Sequence, residues 1–484
     1  MKSVNVQRSG PALLPDCNRV LIRPFMPGDE TSARRLVARV LALSEEDVQR
    51  LLAEVLGEFG DRHAHLEEFL RQRYGQVRDY LPPDASPSPD RQLLLASYFT
   101  HEYSLEAAAL FNPSIVPHPN QADLPAGALR FILSLRATGE GHISSITFRT
   151  GVVSAQHRVT LVPPAPFVTE PERVWNATYE QPLFRRKLAE MGVGCDFCWR
   201  VLNQLPEYFT MAKLQQVLET VRTEVDPSDP TSARAARGLL LLAESNYEVA
   251  FTPSPRVSQR AIFPHTPSQR NGIEDARFVR FQEDDGVATY YATYTAYDGR
   301  IVLPQLLETP DFERFAFSTL NGPAVRNKGM ALFPRRINGL YAMLSRQDDE
   351  SLFLMFSEHP HFWYEAKVLL SPQEPWELLK LGNCGSPIET EAGWLVLSHG
   401  VGPMRKYCLG AFLLDLLDPG KVIGRLRTPL LSPNELEREG YVPNVVYTCG
   451  ALVHHGVLIM PYAMSDSATS FATVPLADLL AAMQ

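Results

Sequence analysis

Within NGIEDARFVRF, residues 271–281, Glu274, Asp275 and Arg277 stand between a glycine and an apolar-alternating run. Adjacent carboxylates beside a guanidinium are residue types for proton transfer at a neutral polar substrate. One carboxyl gives or takes the proton, the arginine orients a carboxylate by paired hydrogen bonds, and the second carboxylate accepts from hydroxyls. The same trio also makes a turn salt bridge, and three residues alone do not choose between these readings. Cys195 and Cys198 form the C-x-x-C pair of GVGCDFCWR. A zinc site needs a further Cys or His pair and redox chemistry needs a thioredoxin-like unit, so they read as two half-buried thiols near a helix start, and no metal is expected.

The elements that must position the trio follow from patterning. With 484 residues, 45% hydrophobic and 21% charged, the chain can bury a large core. A net charge of −9 gives no basic field for a nucleic acid or an anionic membrane, so a neutral or small substrate is the expected partner. No apolar run reaches the ~20 residues that span a bilayer, and MKSVNVQRSGPALLPD has no apolar signal core, so a cytoplasmic location is expected.

Apolar residues three and four apart over 30–80 predict helices, with Ser44 capping one of them. PPDASPSPDR, with four prolines in ten residues, then predicts a boundary or an extended linker. The reading is therefore a helical extension over 1–90 and an all-β unit over 91–484. Short alternating strands such as ALRFILSLRA, ATYYATYTAYDG and GWLVLSHG recur after residue 104, interrupted by a helical insertion at about 181–245. That insertion shapes a pocket wall or packs outside it. A sandwich, barrel or propeller fits such strands, and weak self-similarity every ~50 to 70 residues favours the propeller, whose inner strands point polar ends into a central channel.

NGIEDARF, ATYTAYDG, KGMALFPRRINGLYAMLSR, GSPIETEAGWLVLSHGV and VPNVVYTCGALVHHGVLIMPYAMSDSATSFATV occur in this order. Together they resemble glycoside hydrolase family 130, the β-mannoside phosphorylases and β-mannosidases, over about residues 104–480. The resemblance implies an all-β five-bladed β-propeller, with the helical extension and insertion outside it, and an inverting reaction on β-linked mannose in a mannose-containing oligosaccharide. Asp275 matches the general acid, in some members acting through a sugar hydroxyl, with Arg277 as its orienter and Glu274 on sugar hydroxyls. Asn112, Arg136 and Asp466 resemble residues that meet the mannose, and Asn327 and His399 align with polar channel positions.

The attacking group divides the family. A phosphorylase needs cations converging on inorganic phosphate as co-substrate. Arg326 and Arg346 match two such positions, with Lys328 and Lys380 as assisting cations. Yet Gln347-Asp-Asp-Glu follows Arg346, and Glu389 stands where many relatives carry lysine. Carboxylates there repel phosphate and activate water, so hydrolysis is the first expectation, with Asp275 as acid and Glu389 as base. Phosphorolysis releasing α-mannose 1-phosphate is the alternative, and a non-catalytic glycan-binding propeller the second. No organic cofactor is expected. The N-terminal helices serve as a homo-oligomer contact or as a channel wall, and the sequence leaves both open.

Overall fold

Alternating apolar residues and Gly, Asp or Pro turns fold most of this chain into consecutive antiparallel meanders. The computed structural model describes residues 4–174, 177–224, 229–254, 256–297, 299 and 302–483. Asp298 of ATYTAYDG lies outside the described residues.

The first meander runs through strands Ala109–Pro117, Leu129–Thr138, Ser144–Val153 and Val159–Leu161. The second, Gly272–Gln282, Ala288–Tyr297, Val302–Thr309 and Arg314–Thr319, joins the first by a parallel pairing of Gly272 with Ser144. Gly272 has φ +140, and a Cβ there would lie 3.0 Å from the Ser144 backbone nitrogen, so glycine permits this approach. A third meander spans Ala331–Leu332 to Lys367–Leu370 and a fourth Lys380–Asn383 to Val422–Arg425. In the last, Val446–Tyr447, Val457–Met464 and Ala468–Pro475 pair in turn, and Gln7–Arg8 adds to the outer strand at Ala472 and Thr473. The start of the chain is thereby tied to its end. Among the described residues these sheets are open, and none closes on itself.

Packing between meanders is aromatic. Phe148, Phe278, Phe312 and Phe315 make edge and stacked contacts at 5.4–6.1 Å, while Trp363 and Trp394 are fully buried. Such rings bury large areas with few torsions to freeze and hold neighbouring sheets in register.

The helices expected over 30–80 are Glu30–Leu41, Glu45–Phe59 and Leu66–Val77, and the Ser44 hydroxyl accepts from the Asp47 amide as the cap. The proline-rich stretch differs from an extended linker. Ser88 caps a helix Pro89–Ser97 with proline in its first turn, where the missing N–H costs nothing. Strand Asp16–Pro24 precedes these helices and pairs with Thr100–Glu106, so the first ninety residues are not purely helical. The insertion forms helices Gln181–Glu190, Asp196–Asn203, Met211–Arg222 and Pro230–Ser245 around their own apolar core. Cys195 stands at the N-terminal cap position of the second of these, with no capping hydrogen bond from its side chain. Cys198 is buried, and burial pushes its thiol up to about 12. Among the described residues, no His, Cys, Asp and Glu group has a metal-binding arrangement, and no helix is long and apolar enough to cross a membrane.

Candidate active site

Two β-bulges build the centre of the site. On Gly272–Gln282, Glu274 pairs with Thr295 but Arg277 with Thr293, so one extra residue must be accommodated between them. Asp275 takes it up in the left-handed region at φ 53. On Ala109–Pro117 the same slip occurs between Phe111 and Ser114, and Asn112 sits at φ 48. A bulge re-aims one side chain away from its sheet. Here both aim into one cavity of about 350 Å³, where Asn112 Nδ2 donates to Asp275 Oδ1 at 2.6 Å.

Arg136, on the neighbouring strand, grips both acids. Its Nη2 donates to Glu274 Oε1 at 2.7 Å and its Nη1 to Asp275 Oδ1 at 3.3 Å, while Nε holds Ser144 Oγ at 2.9 Å. Arg277 does not take the expected orienting role. Its Nη2 donates to the Tyr447 hydroxyl at 2.7 Å and its Nη1 to the Asp275 backbone carbonyl at 3.3 Å, behind the cavity wall. Strand alternation explains the exchange: residues two apart share a side in a regular strand, but the extra residue taken up at Asp275 breaks the alternation, and Asp275 and Arg277 point to different sides. Glu274 is likewise spent on Arg136 and is not among the cavity-lining residues.

A basic wall faces Asp275. Lys328, Arg346, Lys380 and Arg405 line the cavity with Asn327, His399, Tyr407 and Tyr447. Arg346 Nη1 lies 3.3 Å from His399 Nε2. Since arginine only donates, Nε2 accepts and the ring proton resides on Nδ1. Burial first, then the charges of Arg346, Arg277 and Lys380, hold His399 well below its usual range, so it is neutral. The space for this pair is made by Gly382, where a Cβ would stand 2.4 Å from His399 Cε1 and 2.6 Å from Arg346 Cδ.

The acids differ in charge. Burial works against ionisation of Asp275, but Arg136, Arg277, Lys328 and the Asn112 hydrogen bond outweigh it and set its pKa at about 2. Asp466, at the turn after Val457–Met464, is raised to about 6 by burial and by the Asp275 charge, against Arg136, Arg405 and Lys328. Asp275 is therefore a carboxylate beside a carboxyl that titrates near neutrality.

Backbone strain concentrates at the same place. Asn112, Asp275, Asn327, Asp349, Arg405 and Asp466 all line the cavity with φ between 48 and 66. Left-handed backbone at non-glycine residues costs ~1 kcal/mol or more each and persists where surrounding structure imposes it, which is a mark of functional sites.

Two further expected residues lie elsewhere. Arg326 is exposed, with Nε on the Pro323 carbonyl at 2.9 Å, and does not line the cavity. Glu389 forms a two-pronged ion pair with Arg335 at 2.8 and 2.7 Å and lines a different cavity, with Ile115, Phe278 and Ala451. Register gives the reason. Glu389 pairs with Trp394, five residues before His399 on Gly393–Val401, a displacement of about 16 Å at ~3.3 Å per residue. It therefore sits at the opposite end of the hairpin from His399, which lines the cavity of the acid it was expected to partner. Arg405, Tyr407 and Tyr447 were not expected. Arg405 had no sequence signal beyond a basic residue in a Gly-Pro turn, and the tyrosines resembled core residues.

Comparison with known proteins identifies the family. Residues 242–484, half of the chain, match the profile of a family described as beta-1,4-mannooligosaccharide phosphorylase. A 1,2-beta-oligomannan phosphorylase of Thermoanaerobacter sp. is 36% identical over 233 residues, 46% of this chain and 75% of that protein. A beta-1,2-mannobiose phosphorylase of Listeria innocua is 32% identical over 232 residues, 45% of this chain and 62% of that protein. The solved structure of the Listeria innocua beta-1,2-mannobiose phosphorylase with beta-1,2-mannobiose superposes with a TM-score of 0.46 at 23% identity, covering 78% of this chain and 92% of that one. The profile match begins before the Asp275 bulge and runs through the basic wall to Asp466, and on it the chain belongs to glycoside hydrolase family 130, a family of carbohydrate-active mannoside enzymes.

Proposed function

We propose that the protein is an inverting β-mannoside phosphorylase, a five-bladed β-propeller whose blades are the meanders described above and whose channel holds the Asp275 cavity. One observation carries the choice of phosphate over water: Arg346, Lys380, Lys328 and Asn327 gather on one cavity wall, whereas Glu389, the expected base, is bound to Arg335 in another cavity. The names of the relatives favour the same reading. Hydrolysis, the first expectation from the acidic residues, thereby yields to its alternative.

In this reading mannose lies between Asp275, Asn112, Arg136 and Asp466, and phosphate lies on Arg346, Lys380 and Asn327. A phosphate oxygen forms the new bond to C1 as the bond from C1 to the glycosidic oxygen breaks on the opposite face. The departing oxygen takes a proton that originates at Asp275, directly or through a sugar hydroxyl, and α-mannose 1-phosphate is released. Asp275 is ionised in the free site and needs a proton to act. A dianion beside Lys328 offsets part of the positive field that holds this carboxyl down, so phosphate binding moves it towards a donor's pKa.

The test is product analysis with β-1,2-, β-1,3- and β-1,4-linked mannobiose, with and without phosphate. Mannose 1-phosphate formed only with phosphate supports the reading. Free mannose at an equal rate without phosphate refutes it. Binding without any turnover would leave a glycan-binding propeller.

A further inference from the structure

The turn after Arg346 places a carboxylate inside the proposed anion subsite. Asp348 Oδ1 accepts from the Glu350 and Ser351 amides at 2.9 and 2.7 Å and so makes the turn's internal bonds. Asp349 makes none of these. At φ 66 it sits on the cavity wall, where its Oδ1 accepts from Asn327 Nδ2 at 3.2 Å and its Oδ2 from Lys380 Nζ. Asn327 and Lys380 are two of the three groups assigned above to phosphate, and Arg346 adds its charge nearby. A carboxylate with both oxygens on donors suited to an oxyanion is a competitor for those donors.

We infer that Asp349 sets the affinity of this enzyme for phosphate by occupying Lys380 and Asn327 until phosphate displaces it. The inference rests on the phosphorylase reading. Its physical basis is exchange: the incoming dianion must take over both donors and expel a like charge, so apparent affinity falls by the fraction of sites in which Asp349 is in place. The Asp349 side chain is 50% exposed, so once displaced it has water to enter. A half-exposed pair is weak enough to be broken on every turnover.

The experiment compares wild type with Asp349→Asn and Asp349→Gly, both of which tolerate left-handed backbone and leave the Asp348 bonds in place. Two quantities are read: the KM for phosphate against kcat in phosphorolysis of the mannobiose that wild type cleaves, and calorimetric binding of inorganic phosphate to the free protein. The expected result is a KM and a dissociation constant for phosphate about five-fold lower, with kcat and the mannobiose KM within about two-fold of wild type. Phosphate-dependent wild type with an unchanged or raised phosphate KM in Asp349→Asn overturns the inference and makes Asp349 a positioning group for Lys380. Phosphate-independent release of mannose that disappears in Asp349→Asn overturns it differently, making Asp349 the group that activates water. Wild type that neither binds nor uses phosphate sinks the phosphorylase reading itself and the inference with it, an outcome separate from the other two.

Discussion

Asn112 Nδ2 and Asp275 Oδ1 meet at 2.6 Å, each carried by a bulged strand with left-handed backbone at the meeting residue. The bond crosses from one meander to the next and helps keep Asp275 ionised in a buried place. A hydrogen bond to a buried charge is worth ~1.5–3 kcal/mol, so Asn112→Ala is expected to lower kcat/KM for the mannoside by roughly ten- to a hundred-fold. Steady-state kinetics at saturating phosphate reads this directly, and a loss below two-fold would dissociate Asn112 from the Asp275 centre.

Asp275 itself is the proposed proton source. Its replacement in Asp275→Asn keeps the shape and the Asn112 contact but removes the proton, with turnover expected to fall ~10²–10⁴-fold. Mannobiose binding, followed by calorimetry, should persist. Retained turnover would move the proton donor to Asp466.

Arg346 tests the anion wall. Arg346→Ala is expected to raise the phosphate KM at least ~10-fold, with a smaller change in the mannobiose KM, because the lost group is a charged donor on the phosphate side only. Equal rises in both constants would indicate collapse of the cavity, which His399, 3.3 Å away, would share.

Glu389 is expected to be dispensable for the chemistry. Glu389→Gln breaks the pair with Arg335, two side chains 45% and 39% exposed, at a cost of ~0–1 kcal/mol of stability. Turnover should stay within about two-fold of wild type, since the residue lies about 16 Å along the strand from the cavity wall. A large loss of turnover would restore it as a catalytic group.

Asp466 gives a pH signature. Its folded pKa of about 6 lies above the ordinary 3.8, so between these values the native state binds more protons than the unfolded state. Stability linked to this group is full below pH ~4 and is lost as pH rises through ~6. Asp466→Asn removes that loss. The melting temperature of the variant relative to wild type should therefore be higher at pH 7.5 than at pH 4.5, and no difference between the two would mean that Asp466 is not proton-bound near neutrality.

Periodicity in the sequence determined the short antiparallel strands, the helices over 30–80 and the helical insertion, because side-chain alternation and caps are local properties that each segment carries with it. NGIEDARF also carried Asp275 by residue type and order. Tertiary structure decided which polar residues share a cavity. Arg277 and Arg136 are both arginines near the acid in the fold, yet the bulge sends Arg277 behind the wall and leaves Arg136 to hold the carboxylates. Glu389 and His399 lie ten residues apart on one hairpin, and only the pairing register reveals that they sit at opposite ends of it. Asp349 was visible as part of an acidic turn, but its contact with Lys380 and Asn327 joins segments that only folding brings together. Residue type fixes what a group can do, whereas bulges and register, set by long-range hydrogen bonding and burial, fix where it does it.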